Sequence, residues 1–290
     1  MNPLKEVRHS IFPYPPPLTR HNIGCYHADP PHAGADYPED VFQKLIRVED
    51  GYFWFEARND VLRFMVESRL GQGKRHSFLE IGCGTGNVLR ALATLPNLSV
   101  AGAEVHAAGA AMAAARVPEV EVVQLDVLRM DFPAAFDAIG VFDVLEHLED
   151  DIGALARIRE ALKPGGMCFI TVPQHPWLWT SQDDISGHKR RYTRPQLTAH
   201  LERAGLNPVF LTSFFFFVMP FFVASRILKQ VRTAIFKIDA AAVDPLGEMF
   251  LPPWLNRLLR WLSALDLRVI KKGISLPFGG SLFALAVRRN

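Results

Sequence analysis

The amino-acid sequence predicts an α/β fold in which a parallel β-sheet is covered by helices on both faces. Between residues 77 and 173, short apolar segments alternate with segments of helical periodicity. The apolar segments are SFLEI, LSVAGAE, VEVVQLD, FDAIGVF and MCFITVP. This alternation is typical of βαβ units, in which a helix connects two parallel strands. In such folds ligand chemistry lies at the carboxyl ends of the strands.

The helices between these strands carry their own start and stop signals. TGNVLRALATL follows the first strand and ends near Pro96, and AAGAAMAAARV follows the second strand and ends near Pro118. A third helix begins at Asp150 or Asp151, because an aspartate at that position caps the first free N–H groups. After residue 173 a long polar and aromatic loop precedes a helix that Thr193 caps.

The two ends of the chain have a different pattern. Residues 1–37 are rich in Pro, His and Gly, and because proline fixes φ and removes a donor, we expect an extended arm there. Residues 38–73 have helix-like apolar spacing and are expected to form a helical segment or lid. NPVFLTSFFFFV and SLFALAVRR predict two more strands. The core is then 74–218 and 281–290, with a helical insertion over 219–280.

The composition narrows the class of protein. Hydrophobic residues make up 49% of 290 residues, and the formal net charge is +2, which does not favour a nucleic-acid binder. Cys25, Cys83 and Cys168 are far apart and form no CxxC pair, which argues against a disulfide framework and a structural zinc site. Residues 1–10 contain no apolar segment, so we expect no secretory signal and a cytoplasmic location.

The stretch LEIGCGTGNV predicts a strand that enters a glycine-rich turn and then a helix. Gly82, Gly84 and Gly86 form G-x-G-x-G, and Asn follows at position 87. A dinucleotide fingerprint requires G-x-G-x-x-G, and a P-loop requires a lysine that this turn lacks. The sequence therefore disfavours a pyrophosphate ligand. A tight turn without any ligand is the alternative.

Four acidic residues stand at the ends of the first four predicted strands. They are Glu80, Glu104, Asp126 and Asp143. Because parallel strands end at one edge of a sheet, we expect these carboxylates to surround one site. An acid after the second strand can accept from two ribose hydroxyls, and one after the third can accept from an adenine amino group. The alternative is that the four acids are solvated caps.

These motifs together resemble the class I S-adenosylmethionine-dependent methyltransferases. The resemblance rests on EIGCGTGN, Glu104, Asp126 and FDVLEHL. It implies a Rossmann-like sheet of seven strands whose last, antiparallel strand lies beside the fifth. It also implies S-adenosyl-L-methionine as the cofactor and S-adenosyl-L-homocysteine as the product. The cofactor-binding residues it implies are Glu80, Gly82, Cys83, Gly84, Gly86, Glu104, Val105, Asp126, Val127 and Asp143.

Two flanking segments resemble a bacterial subgroup of these enzymes. They are YPEDVFQKLIRVEDGYFWFEARN and VPQHPWLWTSQDDISGHKRRYT. Most members of this subgroup have no assigned substrate, and many are linked to cell-envelope or lipid-type chemistry. The subgroup pattern places Arg58 near the cofactor carboxylate.

Methyl transfer to a hydroxyl requires a base beside the acceptor. The candidate catalytic residues are His147 with its neighbour Glu146, and His188 in the long loop. A packing role for His147 is an equal alternative. The candidate substrate residues are Trp54, His175, Trp177, Arg191 and Tyr192. No metal site is predicted.

We expect an enzyme that methylates oxygen on a small-molecule or lipid-like acceptor; the alternative is a non-catalytic cofactor-binding or scaffold protein. Nucleic acid is not expected as a partner, because no NPPY-like tetrapeptide follows the fourth strand. Residues 214–270 are too interrupted by charge and proline for a spanning helix. They cap the acceptor pocket, which is the favoured interpretation, or contact the inner face of a membrane peripherally, and both roles are compatible if the acceptor is a lipid. The sequence does not indicate an oligomeric state.

Overall fold

A computed structural model of the chain describes residues 10–20, 23–27, 39–226 and 251–289. Its centre is a single sheet with the strand order β1-β2-β5-β4-β3-β6-β7-β9-β8. In chain order the described strands are β1 (Leu18–Arg20), β2 (Ile23–Cys25), β3 (His76–Ile81), β4 (Leu98–Glu104), β5 (Glu121–Gln124), β6 (Phe136–Phe142), β7 (Leu162–Pro173), β8 (Leu206–Phe214) and β9 (Ser281–Arg288).

The α/β sheet is confirmed, but the predicted count of seven strands is corrected to nine among the described residues. Strands β3 to β7 run parallel, and β9 lies antiparallel beside β7, the fifth predicted strand, as predicted. The other neighbour of β9 is β8. The two additional strands come from the N-terminal arm, where β2 pairs in parallel with β5. Both strands lie after the prolines at positions 15–17, so their backbone N–H groups are available for sheet bonds.

Eight α-helices whose bounds lie within the described residues surround this sheet. They are α1 (Glu39–Val48), α2 (Phe53–Leu70), α3 (Asn87–Ala93), α4 (Ala107–Arg116), α5 (Asp151–Ala161), α6 (Ser181–Ile185), α7 (Arg194–Arg203) and α8 (Pro253–Lys271). Asp150 caps α5 by accepting from the Gly153 N–H at 2.8 Å, and Thr193 caps α7 by accepting from Gln196. Gly51, with φ of 89°, stands between α1 and α2.

The sheet is buried on both faces. In β3, Leu79 packs in one apolar cluster with β6 and α5, whereas its neighbour Phe78 packs in the other with α2 and α8. Alternate residues of one strand thus enter two separate cores. This explains why apolar residues follow one another directly in this strand instead of alternating with polar ones.

The insertion follows β8. Residues 219–226 are helical, residues 227–250 lie outside the described part of the chain, and α8 packs on α2. Arg260 of α8 donates to Glu56 of α2 at 3.1 Å. Buried Asp266 accepts from the backbone N–H groups of Phe216 and Phe217 at 3.0 and 3.3 Å, which ties α8 to the end of β8. Among the described helices, none has the length and apolar character to cross a membrane.

Candidate active site

A cavity of about 1150 Å³ opens at the carboxyl ends of the central strands. The glycine loop and the four strand-end acids line it from below, and α1, α2, the insertion and the loop after β7 surround its upper part. A typical small-molecule pocket has a volume of roughly 300–1,000 Å³, so this cavity has room for a cofactor and part of a second ligand.

The glycine loop follows β3 and requires glycine for two different reasons. Gly82, Gly84 and Gly86 have φ of 69°, 52° and 80°, and residues with a side chain rarely adopt a positive φ of this size. A Cβ atom on Gly82 would lie 2.4 Å from Val144, and one on Gly86 would lie 3.0 Å from the backbone of Ala113 in α4. The turn and its close approach to α4 therefore both depend on the missing side chain.

Glu104 joins the glycine loop to the end of β4. Its Oε2 accepts from the N–H of Gly84 at 2.8 Å, and its Oε1 accepts from the N–H of His106 at 2.9 Å. A carboxylate oxygen can accept two hydrogen bonds, so both oxygens of Glu104 retain capacity for hydroxyl donors. Asp126, after β5, is buried and accepts from the Leu128 N–H at 3.0 Å. Val105 and Val127 follow these acids and also line the cavity.

Arg58, Asp143 and Glu80 form a charged group beside the glycine loop. Nη1 of Arg58 donates to Oδ2 of Asp143 at 2.9 Å, and the guanidinium lies 4.6 Å from the centre of the Trp54 ring. Burial, with a smaller contribution from Glu104, raises the pKa of Glu80 to about 8, although Arg58 lowers it. Arg58 Nε and Glu80 Oε2 are buried without a hydrogen-bond partner among the described residues. These atoms suit a ligand with both ammonium and carboxylate groups.

A second polar group, which we call the Glu–His–His cluster, comprises Glu146, His147 and His188. All three line the same cavity, and the two imidazole rings stand 4.7 Å apart. One potential ligating atom from each side chain lies within 4.8 Å of the others. Burial and the neighbouring His188 lower the pKa of His147 to about 3, so its imidazole is neutral at physiological pH. Burial and Asp143 raise the pKa of Glu146 well above its usual value.

Asp183 holds His188 in place, and sequence reasoning missed it. Its Oδ1 lies 2.8 Å from Nδ1 of His188, and both its oxygens accept from Arg191 at 2.7 and 2.8 Å. Burial raises the pKa of Asp183, but the hydrogen bonds from His188 and Arg191 lower it below its usual range. The signal was the T-x-x-D spacing from Thr180, which forms a capping box at α6.

A buried network that had no signal in the sequence fixes α1 to the glycine loop. The Thr85 hydroxyl donates to Glu49 at 2.7 Å, and Arg116 of α4 pairs with the same carboxylate. Phe42 of α1 lies over the loop, close to Gly84 and Gly109. The helical segment before α2 therefore covers the half of the cavity next to β4.

The structure brings together most of the predicted site residues, but not all of them. Cys83, Trp54 and Arg191 line the cavity, although the Arg191 guanidinium is already occupied by Asp183. Three candidate substrate residues, His175, Trp177 and Tyr192, are not among the described residues that line it. Trp177 is exposed and its ring stacks on that of Phe278. The centre of the Phe278 ring also lies 4.3 Å from the centre of the His175 ring.

Tyr192 is fully buried under the loop instead of facing the cavity. Its hydroxyl donates to Oδ2 of Asp151 at 2.6 Å, and Asp151 also lies 2.8 Å from Nδ1 of His200. The side chain therefore ties the loop to α5 and α7.

A family model described as "Methyltransferase domain" matches residues 53–210. The chain belongs to the methyltransferase domain family. The matched part of this methyltransferase domain includes Arg58, the glycine loop, the four strand-end acids and the Glu–His–His cluster. It ends before the insertion that closes the top of the cavity.

Known proteins similar to this methyltransferase domain include two groups of curated relatives. A probable S-adenosylmethionine-dependent methyltransferase of Mycolicibacterium smegmatis is 27% identical over 158 residues, which are 53% of this chain and 60% of the relative. A ubiquinone biosynthesis O-methyltransferase of Xanthomonas campestris pv. campestris is 33% identical over 104 residues, 32% of this chain and 41% of the relative. The matches thus span 60% or less of these two relatives.

A solved structure shows the same fold. Haemonchus contortus phosphoethanolamine N-methyltransferase 2 in complex with S-adenosyl-L-methionine superposes with a TM-score of 0.51 and 21% identity. The superposition covers 79% of this chain and 52% of that protein. At this identity the likeness establishes the fold alone.

Proposed function

We propose that the chain is an S-adenosylmethionine-dependent methyltransferase that transfers a methyl group to an oxygen of a small-molecule or lipid-like acceptor. The observation that carries the proposal is the convergence of Glu80, Glu104, Asp126 and Asp143 with the glycine loop on one cavity. Glu104 and Asp126 suit the ribose hydroxyls and the adenine amino group of a nucleoside, and the glycine loop lacks the sequence patterns that bind a pyrophosphate. The relatives from two curated groups are methyltransferases by name, which supports the same reaction class.

S-adenosyl-L-methionine is the cofactor, and it supplies a methyl group on a positively charged sulfonium. Glu104 holds the ribose hydroxyls, and Asp126 with Val127 holds the adenine. The glycine loop allows backbone to approach the amino-acid portion closely. Arg58, Asp143 and Glu80 complete that end, where Arg58 Nε offers a donor and Glu80 Oε2 an acceptor.

The acceptor is proposed to have an apolar body. The insertion contributes an apolar wall to the cavity, formed by Phe221, Phe222, Leu251, Leu255 and Leu259. Trp54 of α2 adds an aromatic surface that stacks on Phe215 with an interplanar angle of 16°. These side chains exclude water, which a displacement at an activated carbon requires. The resemblance to the bacterial subgroup supports a lipid-type acceptor.

Oxygen is proposed as the atom that receives the methyl group. The Glu–His–His cluster lines the cavity together with the polar side chains of Thr180, Gln182 and Asp183, and it is suited to act on a hydroxyl. We assign activation of the acceptor oxygen to Glu146, His147 and His188. The ubiquinone biosynthesis O-methyltransferases among the relatives support this choice of atom.

Peripheral contact with an anionic membrane is part of the proposal. The outward face of α8 carries Trp254, Arg257, Trp261 and Arg268, at helical spacing of three, four and seven. The two tryptophans are 65% and 54% exposed. Tryptophan favours the membrane interface and arginine favours anionic head groups. The inward face lines the cavity at the same time, so α8 both caps the site and faces a membrane.

A thermal shift experiment tests the proposed cofactor. The full chain is heated with S-adenosyl-L-methionine, S-adenosyl-L-homocysteine or NAD at equal concentration. We expect both adenosyl compounds to raise the melting temperature, because a ligand that binds only the folded state stabilises it. A larger shift with NAD would point to hydride transfer and contradict the proposal.

A further inference from the structure

We propose that Glu146, His147 and His188 bind a divalent transition-metal ion, and that the ion holds and activates the acceptor hydroxyl. The second part rests on the proposed methyltransferase function, whereas the binding of the ion does not. The ion belongs to the class that accepts mixed nitrogen and oxygen ligands, such as Zn²⁺, Co²⁺ or Fe²⁺.

The spacing of the cluster suits a single ion. The three potential ligand atoms lie within 4.8 Å of one another. With metal–ligand bonds of about 2.1 Å, the ligand atoms around a tetrahedral ion lie about 3.4 Å apart. An inward movement of up to about 0.8 Å per side chain therefore completes the site. Two imidazoles and one carboxylate leave at least one coordination position for a further oxygen.

Glu146 provides the second, independent observation. Its side chain is only 1% exposed, and neither of its carboxylate oxygens has a hydrogen-bond partner among the described residues. Its charged neighbours include the acids Asp143 and Asp183 and the cation Arg191. The Arg191 guanidinium is already bonded to Asp183 on two sides. A buried carboxyl group without partners is costly, and a bound cation removes that cost.

The two imidazoles are held in the manner of metal ligands. Nδ1 of His188 lies 2.8 Å from Asp183, which leaves Nε2 with the lone pair. His147 has a backbone hydrogen bond with Ser186 that fixes its ring. Ligating histidines almost always have such a partner on the other nitrogen, because it sets the tautomer and the ring orientation. Arg191 and Thr180 in turn hold Asp183.

The ion would act on the reaction as a Lewis acid. An acceptor hydroxyl that binds the ion would lose its proton to water as it enters the cavity, before the apolar side chains enclose it, because coordination lowers the pKa of a bound hydroxyl. An oxygen lone pair then forms the bond to the methyl carbon while the carbon–sulfur bond breaks. The pair of electrons from that bond remains on sulfur. The products are the methyl ether and the neutral thioether, so no oxidant or reductant is required.

Cobalt(II) titration of the full chain tests the site. The protein is treated with a chelator, dialysed and titrated with Co²⁺, and bound metal is measured by visible absorption and elemental analysis. We expect about one equivalent per chain and a d–d band typical of nitrogen and oxygen ligands. His188→Ala and Glu146→Gln are expected to abolish stoichiometric uptake. Asp183→Asn should weaken binding about 10–100-fold, because it removes the group that orients His188.

His200→Gln is the matched control, because His200 also pairs with a buried aspartate at 2.8 Å but lies outside the cluster. It should bind Co²⁺ as the unaltered chain does. Every variant is also titrated with S-adenosyl-L-homocysteine. Binding of this nucleoside shows that the variant is folded and that its cofactor site is intact, independently of the metal. A chain that binds this nucleoside but takes up no stoichiometric Co²⁺ overturns the metal site and leaves a His188–Asp183 base. A chain that binds Co²⁺ but not the nucleoside overturns the proposed function alone.

Discussion

Nη1 of Arg58 in α2 donates to Oδ2 of Asp143 at the end of β6, across 2.9 Å. Both side chains are largely buried, with 10% and 18% of their surface exposed. Asp143 itself has a φ of 56°, in the left-handed region that aspartate adopts more often than most other non-glycine residues. The pair thus connects the N-terminal helical segment to the sheet at the floor of the cavity.

Removal of Arg58 is expected to destabilise the protein. Arg58→Met should lower the free energy of unfolding by about 3 kcal/mol, because it leaves a partly buried carboxylate without its partner. Urea denaturation measures this change. Arg157→Ala is the control, since its ion pair with Glu160 is about half exposed and should contribute less than about 1 kcal/mol. Equal effects of the two substitutions would contradict a structural role for the Arg58–Asp143 pair.

Glu80 is expected to make stability depend on pH. Its pKa of about 8 in the folded protein exceeds the ordinary value of 4.5, so the folded state binds more protons between these pH values. The contribution of this group is therefore complete below pH 4.5 and is lost as the pH rises toward 8. Glu80→Gln should remove this loss, with a gain on the order of 2–4 kcal/mol at pH 8 relative to the unaltered chain.

Unfolding of both proteins in urea at pH 5 and pH 8 checks this expectation. The exposed residue Glu119 serves as a control, because Glu119→Gln should leave the difference between the two pH values unchanged. Parallel pH profiles for the Glu80→Gln protein and the unaltered chain would show that Glu80 has no raised pKa.

Tyr192 is expected to stabilise the loop and to leave cofactor binding unaffected. Tyr192→Phe removes the hydrogen bond to buried Asp151 and should reduce the free energy of unfolding by about 1–2 kcal/mol. Tyr14→Phe, which removes a hydrogen bond at an exposed position, should have a smaller effect. Calorimetric titration with S-adenosyl-L-homocysteine should give the same affinity for all three proteins. A weaker affinity for Tyr192→Phe alone would place the residue in the site.

The outward face of α8 predicts binding to anionic vesicles. The full chain should float with vesicles of phosphatidylglycerol and phosphatidylcholine, and Trp254→Ser with Trp261→Ser should reduce the floating fraction several-fold. Val209→Ser is the control, because Val209 is an exposed apolar residue, 50% accessible, on β8. Equal flotation of the double tryptophan variant and the Val209→Ser variant would exclude a specific contact through α8.

Those parts of the site that depend on local spacing were predictable from the sequence. The glycine loop and the acids Glu104 and Asp126 lie next to each other because parallel strands end at one edge, and alternation along the chain reveals those strands. The place of β9 beside β7 followed from a family resemblance, since hydrophobic pattern alone does not specify which strands pair.

The remaining parts depend on contacts between distant segments. Glu49 is recognisable as a site residue only once α1 lies over Thr85, 36 positions further along the chain. The sequence also does not specify which way the side chains point in the loop after β7. Tyr192 was therefore expected in the cavity, but it lies beneath the loop. The arm strands β1 and β2 were read as extended chain because three-residue strands beside prolines have no periodicity.

The most direct test of the central claim is calorimetric titration of the full chain and its Glu104→Gln variant with S-adenosyl-L-homocysteine. The unaltered chain should bind one equivalent. Glu104→Gln keeps the shape of the side chain but replaces the carboxylate that is proposed to accept hydrogen bonds from the ribose. It should weaken binding by roughly 10–100-fold, because hydrogen bonds to charged groups contribute about 1.5–3 kcal/mol. Equal affinity of the two proteins, or no binding to either, would contradict a nucleoside cofactor held by Glu104 in this cavity.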